Sequence, residues 1–320
     1  MFTMRFDMRA PGKDAAQRAA LYRCAIDMAA YADQRGCASV IVSEHHASED
    51  GYLPSPFPLA SAMAAVTSSV PIVVAAAILP LYEPVRMAED MIVLDHISAG
   101  RTMFVLGLGY RPVEYELHGV SYADRGRVAD EKLAALLDAL RGTEVTPPPF
   151  SAGGPLLSWG GTSKAAARRA GRNGLGFIAQ TDNPELQTVY EQAARDAGHE
   201  PGLCILPSPA LPLSVFVNDD VDAGWAEVGD ALLADAVPYY DWNVEAGSAG
   251  GTASLDAARS VDELRKEHGS HRVVTVAEAA DLVRTHGSLS LQPLSGGLDP
   301  EVAWPYLRRV VDEVLPAAAG

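Results

Sequence analysis

Pro71-Ile72-Val73-Val74-Ala75-Ala76-Ala77-Ile78-Leu79 runs without a single polar side chain. The run is short, opens on three β-branched residues and lies between a serine pair and Pro80. That pattern is a strand buried on both faces rather than a helix. A strand covered on both faces belongs to a parallel sheet whose crossover helices do the covering.

The flanking sequence repeats that logic. Upstream, Met4 to Met8 and Ser39 to Ser43 read as strands. Between them a helix over about 14–35 carries Leu21, Cys24, Ala25, Met28, Ala29 and Ala32 as one apolar stripe, and Gly36 stops it. Leu59 to Thr67 reads as a short helix, and Glu83 to His96 as a longer one with Pro84 at its start. Further strands follow at Thr102 to Leu108, Leu156 to Trp159, Leu175 to Ala179, Leu211 to Val217 and Ser288 to Gln292. Helices are expected over 125–141, 163–172, 184–197, from Val217 to about Tyr240, and over 276–286. A long loop runs from Leu108 to Ala123, and 143–155 is a second loop. A closing helix over 299–314 starts with Asp299 as cap and Pro300 in its first turn. The Gly-, Ala- and Ser-rich stretch at about 241–272 reads as an insertion.

Eight strands alternating with helices predict an α/β chain, a single (β/α)₈ barrel over residues 1–320. A doubly wound sheet would need a glycine fingerprint after the first strand, and Arg9-Ala10-Pro11-Gly12 is not one.

Composition narrows the partners. The net charge of −16 repels phosphate backbones and anionic lipid, so neither nucleic acid nor a membrane surface is expected. Three cysteines, Cys24, Cys37 and Cys204, match no metal-binding spacing and predict no disulfide. Met1 to Asp7 lacks the apolar stretch of a secretory signal, and no long uncharged apolar run occurs. A cytoplasmic protein is the expectation.

In such barrels chemistry sits at the C-terminal ends of the strands. Those ends carry Asp7, Glu44-His45-His46, Gly107-Leu108-Gly109, Gly160 to Lys164, Gln180 and Gln292. Gly160-Gly161-Thr162-Ser163-Lys164 joins a strand to a helix. Its glycines admit close backbone approach, its hydroxyls can cap or bind an anion, and the helix start and Lys164 favour negative charge. That combination predicts a phosphate site, although an ordinary capped turn reads the same way. His45, held by Glu44, is a candidate proton donor or acceptor near neutral pH. Adjacent histidines on an extended segment point opposite ways, so no metal is expected there.

The order of several motifs resembles the bacterial luciferase-like monooxygenases. They are Ser43-Glu44-His45-His46, Ala75 to Pro80, Pro84 to Asp90, Leu94-Asp95 with Ser98 to Arg101, Gly107 to Gly119, Arg125-Gly126-Arg127 and the Gly-Gly-Thr-Ser turn. The resemblance spans about residues 36–180. It implies a flavin whose phosphate meets Gly160, Gly161, Thr162 and Ser163 and whose ring lies near Ala75, Ala76 and Gly107. It also implies a non-prolyl cis bond between Ala75 and Ala76. His45 would match a histidine assisting proton transfer beside the ring. The luciferase subunit has an arginine where this chain has Leu108, which leaves Arg125, Arg127 and Lys164 as the nearby cations. The resemblance further implies a homodimer built on the early helices, a small organic substrate and a separate flavin reductase. Reduced FMN with oxygen is the first reading, a monooxygenase. Hydride transfer with coenzyme F420 is the second, and a flavin-binding protein without turnover the third.

Overall fold

A computed structural model describes residues 1–208, 210–247, 257–267 and 269–320. Ten strands are present among them: β1 (Phe2–Phe6), β2 (Cys37–Val42), β3 (Ile72–Ile78), β4 (Thr102–Gly107), β5 (Leu156–Gly161), β6 (Gly176–Ala179), β7 (Cys204–Ile205), β8 (Ser214–Val217), β9 (His271–Val274) and β10 (Leu289–Leu291). Eight of them form one parallel sheet in the order β10-β1-β2-β3-β4-β5-β6-β7. In β3, Ile72, Val74, Ala77 and Ile78 are buried, as its sequence requires.

The helices follow from their ends and faces. α1 (Ala15–Ala32) opens with a capping box: Gln17 N donates to Asp14 at 2.9 Å while Gln17 Oε1 accepts from Asp14 N at 2.9 Å. It buries the predicted stripe from Leu21 to Ala32. α2 spans Pro56–Val66, and α3 spans Pro84–Ser98 with Pro84 in its first turn. α4 (Pro112–Leu117), α5 (Arg125–Arg141), α6 (Lys164–Arg172) and α7 (Glu185–Asp196) cover the next strands. α8 (Val221–Glu245), α9 (Val261–Glu267), α10 (Val276–His286), α11 (Pro300–Arg309) and α12 (Leu315–Ala319) complete the chain.

Three expectations are corrected, and a fourth, the insertion at 241–272, is described only in part. The seventh strand of the main sheet is Cys204–Ile205, not Leu211 to Val217. Held between Pro201 and Pro207, that run is too short to show a period. The predicted strand exists as β8, but it pairs with β9 in a separate two-stranded parallel sheet. Ring closure is therefore not carried by the ladder, whose edges are β7 and β10. The expected loop after β4 contains α4, started by Pro112. The stretch at 241–272 begins inside α8 and ends with α9 and the start of β9, while residues 248–256 of it lie outside the described residues. Finally, Asp299 makes no side-chain cap on α11 and instead accepts from Lys13 Nζ at 2.5 Å. The three cysteines are unpaired. No helix among the described residues is long and apolar enough to cross a membrane.

Candidate active site

The C-terminal ends of β1, β2 and β4, together with α4 and α8, converge on His45. β2 ends at Val42, and the extended segment after it turns successive side chains to opposite sides. His45 and His46 consequently part. His46 Nε2 lies 2.6 Å from Glu44 Oε1, and Glu44 Oε2 accepts from Tyr82 Oη at 2.8 Å and Ile78 N at 3.1 Å. Glu44 thus ties its loop to the end of β3 and does not hold His45.

His45 is held instead by Glu114 of α4, whose Oε1 lies 2.8 Å from His45 Nδ1. The same oxygen accepts from His46 N at 2.9 Å, and Arg111 Nη1 lies 3.4 Å away. Burial alone would push the Glu114 carboxyl up, but the His45 bond, the His46 N–H and Arg111 outweigh it and the net direction is down. Burial pushes the His45 imidazole below its ordinary value, against the pull of Glu114. An ionised Glu114 accepts from Nδ1–H, so Nε2 is left free to take or give a proton. The only hydroxyl recorded near Nε2 among the described residues is Tyr110 Oη, at 3.4 Å.

Beside this pair lies a buried charged floor. Arg9 pairs with Asp50, and its Nε stands 3.5 Å from both Asp7 and Asp235 without hydrogen-bond geometry to either. Gln292 Nε2 bridges the two aspartates, at 2.7 Å to Asp7 and 3.0 Å to Asp235. His271 Nε2 lies 2.7 Å from Asp235. Burial, then the neighbouring Asp235, pushes Asp7 up to about 8, while Asp235 is held low by His271, Asp7 and Arg9 against its own burial. Asp7 and Gln292 stood among the strand ends in the sequence. Glu114 lay within the Gly107 to Gly119 motif of the resemblance but with no role, and Arg9, Arg111, Asp235 and His271 carried no such signal.

The cofactor candidates lie along β3, β4 and β5. The Ala75–Ala76 bond is cis, and the β3–β4 register shifts between Ala75 and Ala77. Ala75 and Ala76 are half-buried while their neighbours Val74 and Ala77 are buried. A Cβ on Gly107 would lie 3.4 Å from the Ala76 methyl, so small residues face each other across the two strands. The Leu108 carbonyl accepts from Tyr115 Oη. At the β5–α6 turn, Ser163 Oγ accepts from Ala166 N at 3.2 Å, and Gln180 N donates to Gly161 O at 3.0 Å. The adjoining Thr181 hydroxyl is buried without a partner. Arg125, at the start of α5, lies over the Tyr122 ring at 3.9 Å and donates to the Tyr122 carbonyl. Arg169, in the last turn of α6, reaches Gly126 O at 3.1 Å and so ties that turn to the start of α5. Two predicted cations are engaged elsewhere. Lys164 Nζ pairs with Glu185 at 2.5 Å, and exposed Arg127 pairs with Glu131 at 2.8 Å. A groove of about 740 Å³ between α8, α9, β9 and α10 is lined by charges of both signs and includes His271 of the charged floor.

A model of the luciferase-like monooxygenase family matches residues 4–286. The chain belongs to this family. This luciferase-like protein is 23% identical to the alkanal monooxygenase beta chain of Vibrio harveyi over 68% of its own length and 69% of the other's. It is 26% identical to the limonene 1,2-monooxygenase of Rhodococcus erythropolis over 38% of its length and 31% of the other's. An uncharacterised protein of Sinorhizobium fredii shares 30% identity, and the match spans only 35% of that protein's length. Among solved structures, a monooxygenase from Streptomyces bottropensis superposes with a TM-score of 0.73 at 23% identity, covering 99% of each chain. The FMN-bound oxygenating constituent of 3,6-diketocamphane monooxygenase from Pseudomonas putida gives 0.69 at 20% identity, covering 98% of each. An F420-dependent secondary alcohol dehydrogenase gives 0.63 at 16% identity, covering 99% of this chain and 98% of that one. These likenesses show the fold, an α/β chain on a curled parallel sheet of the barrel type.

Proposed function

We propose that this luciferase-like chain is a flavin-dependent monooxygenase acting on a small organic substrate, with His45 as its proton-handling group. The observation that carries the reading is the buried His45–Glu114 pair. It stands at the C-terminal ends of β2 and β4, on either side of the alanine segment of β3. Asp7, Glu44, Gly107, Gly160 and Gln180 would sit around the same mouth.

The residues present fit a planar cofactor with a phosphate tail. Ala75, Ala76 and Gly107 leave a flat, side-chain-poor wall. Gly160, Gly161, Thr162, Ser163 and the start of α6 offer a glycine-lined turn with a favourable field for an anion. The Thr181 hydroxyl and Arg125, neither paired with a carboxylate among the described residues, add donors. Lys164 and Arg127, being engaged with Glu185 and Glu131, are not assigned to the phosphate. When bound, reduced FMN supplies the electrons that activate molecular oxygen. His45 Nε2 holds or moves the proton that the oxidation requires, Glu114 fixes the imidazole through Nδ1, and the surrounding tyrosines exclude water.

Hydride transfer with F420 in the same place is the second reading, and its specific support is the dehydrogenase among the structural neighbours. The two part on oxygen. With reduced FMN regenerated by a flavin reductase and labelled O₂ supplied, the proposal expects label in the oxidised product from a panel of carbonyl, alkene and aromatic compounds. Anaerobic reduction of F420 by an alcohol, with no label incorporated from O₂, contradicts it. The assembly proposed with this function is a homodimer in the cytoplasm, served by a separate reductase. Its contact would be the exposed apolar face of α2 and α3, with Val66, Val85, Val93 and Ile97.

A further inference from the structure

Trp242 stands in the middle of the candidate mouth. It lies near the end of α8, and two guanidinium groups lie over its ring, Arg9 at 4.5 Å and Arg111 at 3.9 Å from the centroid. The His45 ring is 5.0 Å away, Tyr239 5.8 Å and Tyr52 6.1 Å. Arg9 is fully buried and Arg111 only 8% exposed. Both nevertheless keep a buried N–H group without a partner, Nη2 of Arg9 and Nε of Arg111, while Nε of Arg9 faces Asp7 and Asp235 at 3.5 Å. Glu114 Oε2 is a buried acceptor in the same condition. Guanidinium donors taken out of water without acceptors are costly, and this site retains two together. An aromatic ring satisfies the cations' need for an electron-rich face but offers no oxygen to their free N–H groups. Pro238 inside α8 removes one backbone donor from the helix just before Tyr239 and Trp242.

We propose that Trp242 occupies the seat of the substrate's reacting ring, and that the substrate is a hydroxyaromatic carbonyl compound which displaces it. The planar ring lies under the two guanidinium groups, its carbonyl oxygen accepts from the free N–H groups of Arg9 and Arg111, and its hydroxyl donates to Glu114 Oε2. The position is next to His45 Nε2, where the oxidation takes place; in this respect the inference rests on the function proposed above. A purely hydrocarbon substrate would leave the same donors unsatisfied, and a saturated hydroxy acid would satisfy them but present no π face to the two guanidinium groups.

The test is calorimetric titration of the full-length protein without cofactor, using hydroxynaphthoate, salicylate and the saturated hydroxycyclohexanecarboxylate as probes. Hydroxynaphthoate and salicylate are expected to bind at least about tenfold more tightly than the saturated acid. Trp242→Ala should tighten hydroxynaphthoate binding by about tenfold, because nothing then has to be displaced. Arg111→Lys, which keeps the charge and loses the forked donors and the planar face, should weaken it by about tenfold. Near-ultraviolet circular dichroism checks that each variant is folded, and the wild-type comparison of aromatic and saturated probes needs no variant. Equal binding of the aromatic and saturated acids overturns the proposal. So does hydroxynaphthoate binding to folded Trp242→Ala that is no tighter than to wild type, since Trp242 would then be a wall and not a stand-in. Because no cofactor is present, failure of FMN to bind in a separate titration would strike the proposed function and leave this result standing.

Discussion

At the residue scale, the chemistry turns on which carboxylate holds His45. Glu44 is its neighbour in sequence, yet on an extended segment the residues that share a side are i and i+2, and Glu44 duly meets His46. The partner of His45 lies 69 positions away, on a helix hidden in what reads as loop. No local pattern carries that pairing, whereas His45 itself was legible from its place at a strand end. His45→Ala should lower turnover by about 10²–10⁴-fold with cofactor affinity little changed, as single-turnover kinetics and a binding titration would register. Glu114→Gln should lower turnover as well and move the acidic limb of the pH profile to lower pH. The carboxylate favours the imidazolium, so its loss lets burial depress His45 further. An acidic limb that stays in place or rises would remove Glu114 from the role given to it.

At the element scale, the parts that fold the mouth are strand ends pinned by side chains. Asp33, just past α1, accepts from Ser68 N at 2.7 Å, Ser68 Oγ at 2.8 Å, Ser69 N at 3.0 Å, Ser69 Oγ at 2.6 Å and Val70 N at 2.8 Å. It therefore sets where β3 begins. Burial raises its carboxyl, but these bonds from Ser69, Ser68 and Val70 prevail and hold it well below the usual carboxylate range. A depressed folded value means stability present above the unfolded pKa of about 3.9 and lost as pH falls below it. Asp33→Asn should cost about 2 kcal/mol or more at neutral pH, with the gap to wild type narrowing below about pH 4 in urea unfolding. A gap independent of pH would show that the charge does not matter. Helices with clear caps, such as α1 and α10, were legible to within a few residues. β7 was not, because two residues between prolines show no period, and β9 was not, because long-range pairing decides where it goes.

At the scale of the whole molecule, a parallel sheet with its strands in sequence order was legible, its seventh strand excepted, because alternating strand and helix patterns admit few topologies. The separate β8–β9 ladder was not, since pairing partners 57 residues apart leave no local trace. If the apolar face of α2 and α3 joins two copies, light scattering should give a dimer, and Val93→Glu with Ile97→Glu should give a folded monomer; an unchanged mass would place the contact elsewhere. The central claim, that this luciferase-like chain binds reduced flavin by its phosphate at the β5–α6 turn, has a more direct test. Anaerobic titration of wild type and Gly161→Asp with reduced FMN and reduced riboflavin compares the phosphate contribution in one experiment. A Cβ at Gly161 would stand 2.7 Å from the Ala166 methyl, and the added carboxylate would oppose an anion. Charge-assisted bonds of about 1.5–3 kcal/mol each predict FMN binding at least about tenfold tighter than riboflavin in wild type, and no difference in Gly161→Asp. Equal affinity of wild type for FMN and riboflavin, or a phosphate preference that survives in Gly161→Asp, would contradict the account.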